Sequence, residues 1–155
     1  MRVAIGGDHH AFGLKAKVCT LLEKLGHEVI DVGSADDLPV DYPLIAAPVA
    51  EMVSQGEVDR GILICGTGVG MCIVANKYPG VRAAPCVDDL TAELSRRHND
   101  LNILCLSADL LGERLVDRMV DLWLKTPFEG GRHQRRKEQI AEIERKAICE
   151  GEEEE

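Results

Sequence analysis

No stretch of the chain runs to the roughly 20 apolar residues that a membrane-spanning helix needs. The opening MRVAIGGDHH reaches glycine and acid too soon for the apolar core of a secretory signal and reads as a first strand. The six cysteines, Cys19, Cys65, Cys72, Cys86, Cys105 and Cys149, contain no CxxC pair. Several sit inside apolar runs, as small buried hydrophobes do, which points to a reducing, cytoplasmic setting. Net positive charge is also missing: 18 Lys and Arg against 27 Asp and Glu leave −9. Such a balance argues against a general nucleic-acid partner or an anionic membrane surface. Internal repeats and linkers are absent, so 155 residues make one domain.

Short apolar runs alternate with segments of helical period, the pattern of stacked βαβ units around a parallel sheet. Strands are predicted at 2–6, 28–33, 60–65, 81–86 and 101–107. Helices are predicted over 12–25, 43–55, 67–77 and 88–98, over a fifth segment marked by Leu111 to Trp123, and over a basic segment from about 132 to 147. Pro48 should kink the second helix or delay its start. The expected architecture is a three-layer α/β/α, Rossmann-like domain with a five-stranded parallel sheet and an extra C-terminal helix. It spans residues 1–147, and residues 148–155 form an acidic, disordered tail ending in EGEEEE.

Ligands of open α/β sheets bind at the carboxyl ends of the strands. The first strand delivers Asp8, His9 and His10 to that edge, and the third delivers Cys65 followed by GTGVG. Gly66, Gly68 and Gly70 allow a sharp turn that presents N–H groups, and a helix starting there adds its positive end, which together make an anion or oxyanion cradle. A dinucleotide loop would follow the first strand with GxGxxG spacing; here the spacing is GxGxG after the third. A thiol beside such donors is favoured as thiolate, available as base or nucleophile. His98 and Asn99 formally complete a cysteine-nucleophile set, so that reading stays open. By topology, however, RRHND returns toward the opposite sheet edge, so these two need either a displaced helix end or a second subunit. His9 and His10, adjacent in an extended segment, would point to opposite sides and not share a metal. The arginines of GGRHQRRK either belong to a solvated helix face or hold a small anion.

GGDHHAFGLK, DYP, GILICGTGVGMCIVANK, RRHNDLNILCL and PFEGGRHQRR, in this order from residue 2 to about 145, closely resemble the ribose-5-phosphate isomerase type B family, which includes the galactose-6-phosphate isomerase subunits. The resemblance implies a homodimer, with dimers of dimers also open, that shares its active sites between subunits and uses no metal or other cofactor. It implies an aldose-ketose isomerase acting on ribose 5-phosphate and ribulose 5-phosphate through an enediolate; a hexose 6-phosphate of the allose or galactose type, or a tetrose phosphate, is the alternative substrate. Cys65 would be the base and His98 would open the sugar ring. Thr67 would shuttle protons, and the amides of Gly66, Thr67, Gly68, Val69 and Gly70 would hold the developing charge. Asn99 would bind a hydroxyl or the oxyanion, and Asp8 sugar hydroxyls. His9, Arg132 and Arg136 would grip the phosphate, and Tyr42 would line the ring pocket. Two departures stand out. His10 replaces a small or apolar residue, and Met71 stands where one branch of the family places a glutamate base, which keeps Cys65 in that role.

Overall fold

The computed structural model describes residues 1–152, and residues 153–155 lie outside the described residues. Eleven α and β elements follow in chain order: β1 (Arg2–Gly7), α1 (Phe12–Lys24), β2 (Glu28–Asp31), α2 (Tyr42–Ser54), β3 (Arg60–Cys65), α3 (Val69–Ala75), β4 (Ala83–Pro85), α4 (Asp89–Asn99), β5 (Ile103–Ser107), α5 (Glu113–Lys125) and α6 (Arg132–Glu152). A single 3-10 turn, His9–Ala11, joins β1 to α1. All strands are parallel, in the order β2-β1-β3-β5-β4. The three inner strands are almost wholly buried and read as continuous apolar runs because helices cover both faces. The edge strands are short, and β4 ends at Pro85, which an edge tolerates.

Val18 and Leu22 of α1, Ala92 of α4 and Val116, Met119, Val120 and Trp123 of α5 form the core on one face. Ile45, Ala46, Val49 and Ala50 of α2 with Met71 and Ala75 of α3 form it on the other. Helix α2 runs unbroken from Tyr42 through Pro48, so its start is not delayed. Pro48 sits on the exposed side, one turn after the exposed Leu44, so solvent can take the carbonyl that loses its donor. Helix α3 is shorter than expected: Gly68 at φ +78° is left-handed and holds the helix start to Val69. Helix α6 is longer. It passes the expected boundary at 147 and continues through 148–152, placing that part of the expected tail in the helix; the remaining tail residues, 153–155, lie outside the described residues.

Two features matter for the site. The chain reverses direction across the sheet between β1 and β3, so the crevice of this topology opens at their carboxyl ends. Helix α6 is pinned at the opposite end of the molecule: Lys137 pairs with Asp100 at 3.0 Å and lies 4.7 Å above the Phe128 ring, and Glu144 accepts the Gly80 N–H at 2.9 Å.

Candidate active site

A cleft of about 400 Å³ opens at the β1/β3 switch point, lined among others by Asp8, His9, Tyr42, Cys65, Thr67 and Gly70. Cys65 closes β3 opposite Ser107 of β5 and is buried, and its Sγ accepts the Gly68 N–H at 3.2 Å. The Val69 N–H donates to Thr67 Oγ1 at 3.3 Å, so two of the loop amides expected to face an oxyanion are engaged within the loop itself. Gly70, in the first turn of α3, faces the cleft. A Cβ there would come within 2.7 Å of the Tyr42 ring, so the glycine is what lets that ring lie against the loop. Tyr42 is placed by Asp41 and Pro43, which start α2 at the cleft's rim.

Asp8 is buried, and its Oδ1 accepts the His10 N–H at 3.0 Å. This cap winds His9 and His10 into the 3-10 turn in place of the expected extended segment, with ring centroids 4.6 Å apart. The two rings still serve different partners. His9 Nδ1 accepts the Val40 N–H at 3.3 Å, leaving Nε2 to donate, whereas His10 Nδ1 lies 3.3 Å from Asp109 Oδ1.

His98, Asn99, Arg132 and Arg136 are not among the residues of this cleft. Helix α4 delivers the first two to the amino end of β5, a strand length of roughly 15 Å from the edge that carries Cys65. His98 and His133 stack at 4.2 Å with planes 5° apart. Glu129 reaches toward both, its Oε2 lying 3.8 Å from His98 Nε2 and 3.5 Å from His133 Nε2, and Arg97 Nε donates to its Oε1 at 2.6 Å. The Arg97 guanidinium holds the Glu129 carboxyl below the usual carboxylate range. Burial, then the neighbouring His98 and Arg132, hold the His133 imidazole below its ordinary value. Arg132 and Arg136 follow on the exposed surface of α6. Among the described residues no carboxylate pairs with either arginine. Lys137, by contrast, is committed to Asp100, as expected of a structural charge. Asn99 lies with Arg82 and Ile140 in a separate groove.

His98, Glu129 and His133 are also the described residues whose ligand atoms come within 4.8 Å of one another, close enough for a metal ion. The geometry serves one poorly: parallel stacked rings send their in-plane lone pairs side by side, not toward a common point, and Arg97 already holds the carboxylate.

A family model described as Ribose/Galactose Isomerase matches residues 3–140. The chain belongs to this family. It is 48% identical over 145 residues to ribose-5-phosphate isomerase B of Escherichia coli K12, covering 94% of this chain and 97% of that protein. The structure of Clostridium thermocellum ribose-5-phosphate isomerase B superposes with a TM-score of 0.93 at 50% identity, covering 95% and 99% of the two chains. The Mycoplasma genitalium ribose-5-phosphate isomerase B, solved with bound ribulose-5-phosphate, gives 0.90 at 42% identity over 93% and 96%. This isomerase therefore has the three-layer fold expected of it. No described helix is long and apolar enough to cross a membrane.

Within the isomerase, the cleft brings together Asp8, His9, Tyr42, Cys65, Gly66, Thr67 and Gly70 of the expected site residues. Gly68 and Val69 are not among its lining residues and bond their N–H groups within the loop, and His98, Asn99, Arg132 and Arg136 stand apart. Asp41, Asp109, Glu129 and His133 were not singled out by sequence. Asp109 follows the fifth strand at the carboxyl edge, which is a usable signal; His133 sits inside GGRHQRR, a motif read for its arginines.

Proposed function

We propose that the chain interconverts ribose 5-phosphate and ribulose 5-phosphate, the reaction named for its relatives. One observation carries the reading furthest. The cleft holds a buried thiol beside backbone donors, with groups suited to sugar hydroxyls, yet it contains no Lys or Arg. A phosphate dianion needs cations, and the exposed Arg132 and Arg136, four apart on α6, form a two-pronged set elsewhere. The proposal therefore includes a homodimer in which a second copy brings His98, Asn99, Arg132 and Arg136 to each Cys65. Exposed apolar side chains beside the cleft and on α6, namely Leu44, Val69, Ile73, Ile140 and Ile143, favour such an assembly.

In this reading Cys65, as thiolate, takes the proton from carbon 2 and returns it to carbon 1. Loop N–H groups at Thr67 and Gly70 stabilise the enediolate, and Thr67 passes protons between its oxygens. The second copy's His98 opens the furanose ring, and its Asn99 holds a hydroxyl. Asp8 binds sugar hydroxyls, Tyr42 lines the ring, and His9 Nε2 joins the two arginines on the phosphate. Binding energy at the phosphate then holds carbons 1 and 2 against the sulfur. The mechanism calls for no metal or other cofactor, and a chelator should leave the rate unchanged.

Incubation with ribose 5-phosphate in heavy water tests this directly: deuterium should enter the recovered sugar with the wild-type chain and not with Cys65→Ala. Parallel rates on tetrose, pentose and hexose phosphates rank the substrates. Folded protein that exchanges no proton on any of them would end the catalytic reading.

A further inference from the structure

His10 and Asp109 have no role in the reading above, yet they form one wall of its cleft. Asp109 lies just beyond β5, on a segment laced to the Cys65 loop. Its N–H donates to the Gly66 carbonyl at 3.1 Å, the Ala108 N–H donates to the Cys65 carbonyl at 2.9 Å, and the Ser107 hydroxyl also donates to Gly66. His10 is held from the other side by the Asp8 carboxylate, which accepts its N–H. The carboxylate of Asp109 thus spans from the tip of β5 toward His10 beyond β1, passing over the Gly66 backbone at the tip of β3. Its Oδ1 is 3.3 Å from His10 Nδ1, and Oδ2 stands 2.8 Å from where a Cβ on Gly66 would lie. Both side chains are about half exposed, at 48% and 51%, so neither is part of the core.

The charge around them is one-sided. Asp8, Asp41 and Asp109 bring three carboxylates to the cleft, and apart from the imidazoles of His9 and His10 nothing in it can carry positive charge. A phosphate group entering along this wall meets a fixed like charge in a site partly shielded from water.

We propose that Asp109, oriented by His10, is a specificity-determining residue: it opposes anionic groups along this wall and accepts a sugar hydroxyl there. It thereby leaves the phosphate to arginines outside the wall and narrows the advantage of phosphorylated sugars over neutral ones. The proposal rests on the isomerase reading and deepens it.

Asp109→Asn, of equal size, and His10→Gln test it, singly and together, with melting temperatures confirming that each variant folds. Inorganic phosphate binding, read by calorimetry, should tighten about tenfold in Asp109→Asn. The ratio of kcat/KM on ribose 5-phosphate to that on unphosphorylated ribose should rise by a similar factor, mainly through KM. His10→Gln should tighten phosphate binding when Asp109 is present, by less than Asp109→Asn does, because the carboxylate loses the contact that aims it, and change nothing in the Asp109→Asn background, because the two act as a unit. Phosphate affinity and substrate ratio both unmoved in Asp109→Asn would overturn the proposal. Since calorimetry needs no turnover, a wild-type chain that isomerises nothing defeats the isomerase reading while the wall is still tested by phosphate alone.

Discussion

The cleft around Cys65 and the cluster around His98 are built by different means. The first hangs on strand ends: β1, β3 and β5 run in register, and backbone N–H groups of Gly68, Ala108 and Asp109 tie the loops to one another. The second hangs on helix ends, where long side chains such as Arg97 and Glu129 hold the rings of His98 and His133. In the proposed reaction each supplies half of the sugar-phosphate site. One half has a thiol and hydroxyl-binding groups without strong cations; the other has arginines and imidazoles without a thiol. Under the proposed reaction this difference is a division of labour in which the sheet edge transfers the proton and the helix surface captures the phosphate.

The strongest way to break this comparison is to disable the halves in separate chains. Cys65→Ala and His98→Ala should each lower kcat roughly a thousandfold. Co-expressed with different tags, the two variants should recover about a quarter of wild-type activity, because half of randomly formed two-fold dimers carry one site with every group present. A mixture as inactive as its components would mean that each chain completes its own site.

Arg132→Ala comes next in size. It should raise KM for ribose 5-phosphate roughly ten- to hundredfold while kcat stays within about threefold, the signature of lost ground-state binding. Arg135→Ala, on another face of α6, should move neither. Equal losses in kcat for both arginines would place α6 in the chemical step and blur the division between the halves.

The sheet-edge half was far more legible in the sequence than the helix-end half, for a physical reason. Parallel strands impose long apolar runs, and their ends deliver whatever residue follows, so Asp8, Cys65 and the glycine loop were found by position. Asp109 escaped because its partner His10 is 99 residues away, although its place just after the fifth strand marked it for the carboxyl edge. Glu129 and His133 escaped similarly, tied to α4 by an ion pair that spans 32 residues. Local geometry failed where one side chain overrode a trend: Asp8 caps a 3-10 turn and winds the two histidines out of extended structure. The separation of His98 from Cys65 was correctly read from topology alone, since a helix that precedes a parallel strand must end at that strand's amino edge.

Within the sheet-edge half, the loop glycines should separate backbone from side-chain constraints. Gly68→Ala forces a Cβ onto a residue at φ +78° lying 3.1 Å from the Leu106 backbone, so it should cost about 1–2 kcal/mol in stability and shift the N–H that faces the sulfur, lowering kcat. Gly70→Ala meets only the half-exposed Tyr42 ring, which can swing aside; KM should rise roughly threefold with little change in melting temperature. The reverse order of stabilities would mean that the Tyr42 contact, and not the left-handed turn, is the rigid element.

The smallest expected effect lies in the helix-end half and depends on pH. His133 is held below its ordinary value in the folded chain, first by burial and then by His98 and Arg132. Its contribution to stability is therefore complete above the unfolded value of about 6.5, where neither state binds the proton. As pH falls below that value the unfolded chain takes up a proton that the folded chain refuses, and stability declines until the folded value is passed. Glu129, depressed by Arg97, adds a second loss at more acid pH, once its unfolded carboxyl near 4.5 begins to protonate. His133→Gln should thus flatten the fall in melting temperature between pH 7 and pH 5, and Glu129→Gln only the part below about pH 4.5. Gly70→Ala, in the other half, should keep the wild-type slope. A His133→Gln profile parallel to wild type would show that His133 binds its proton as readily in the folded chain as in the unfolded one.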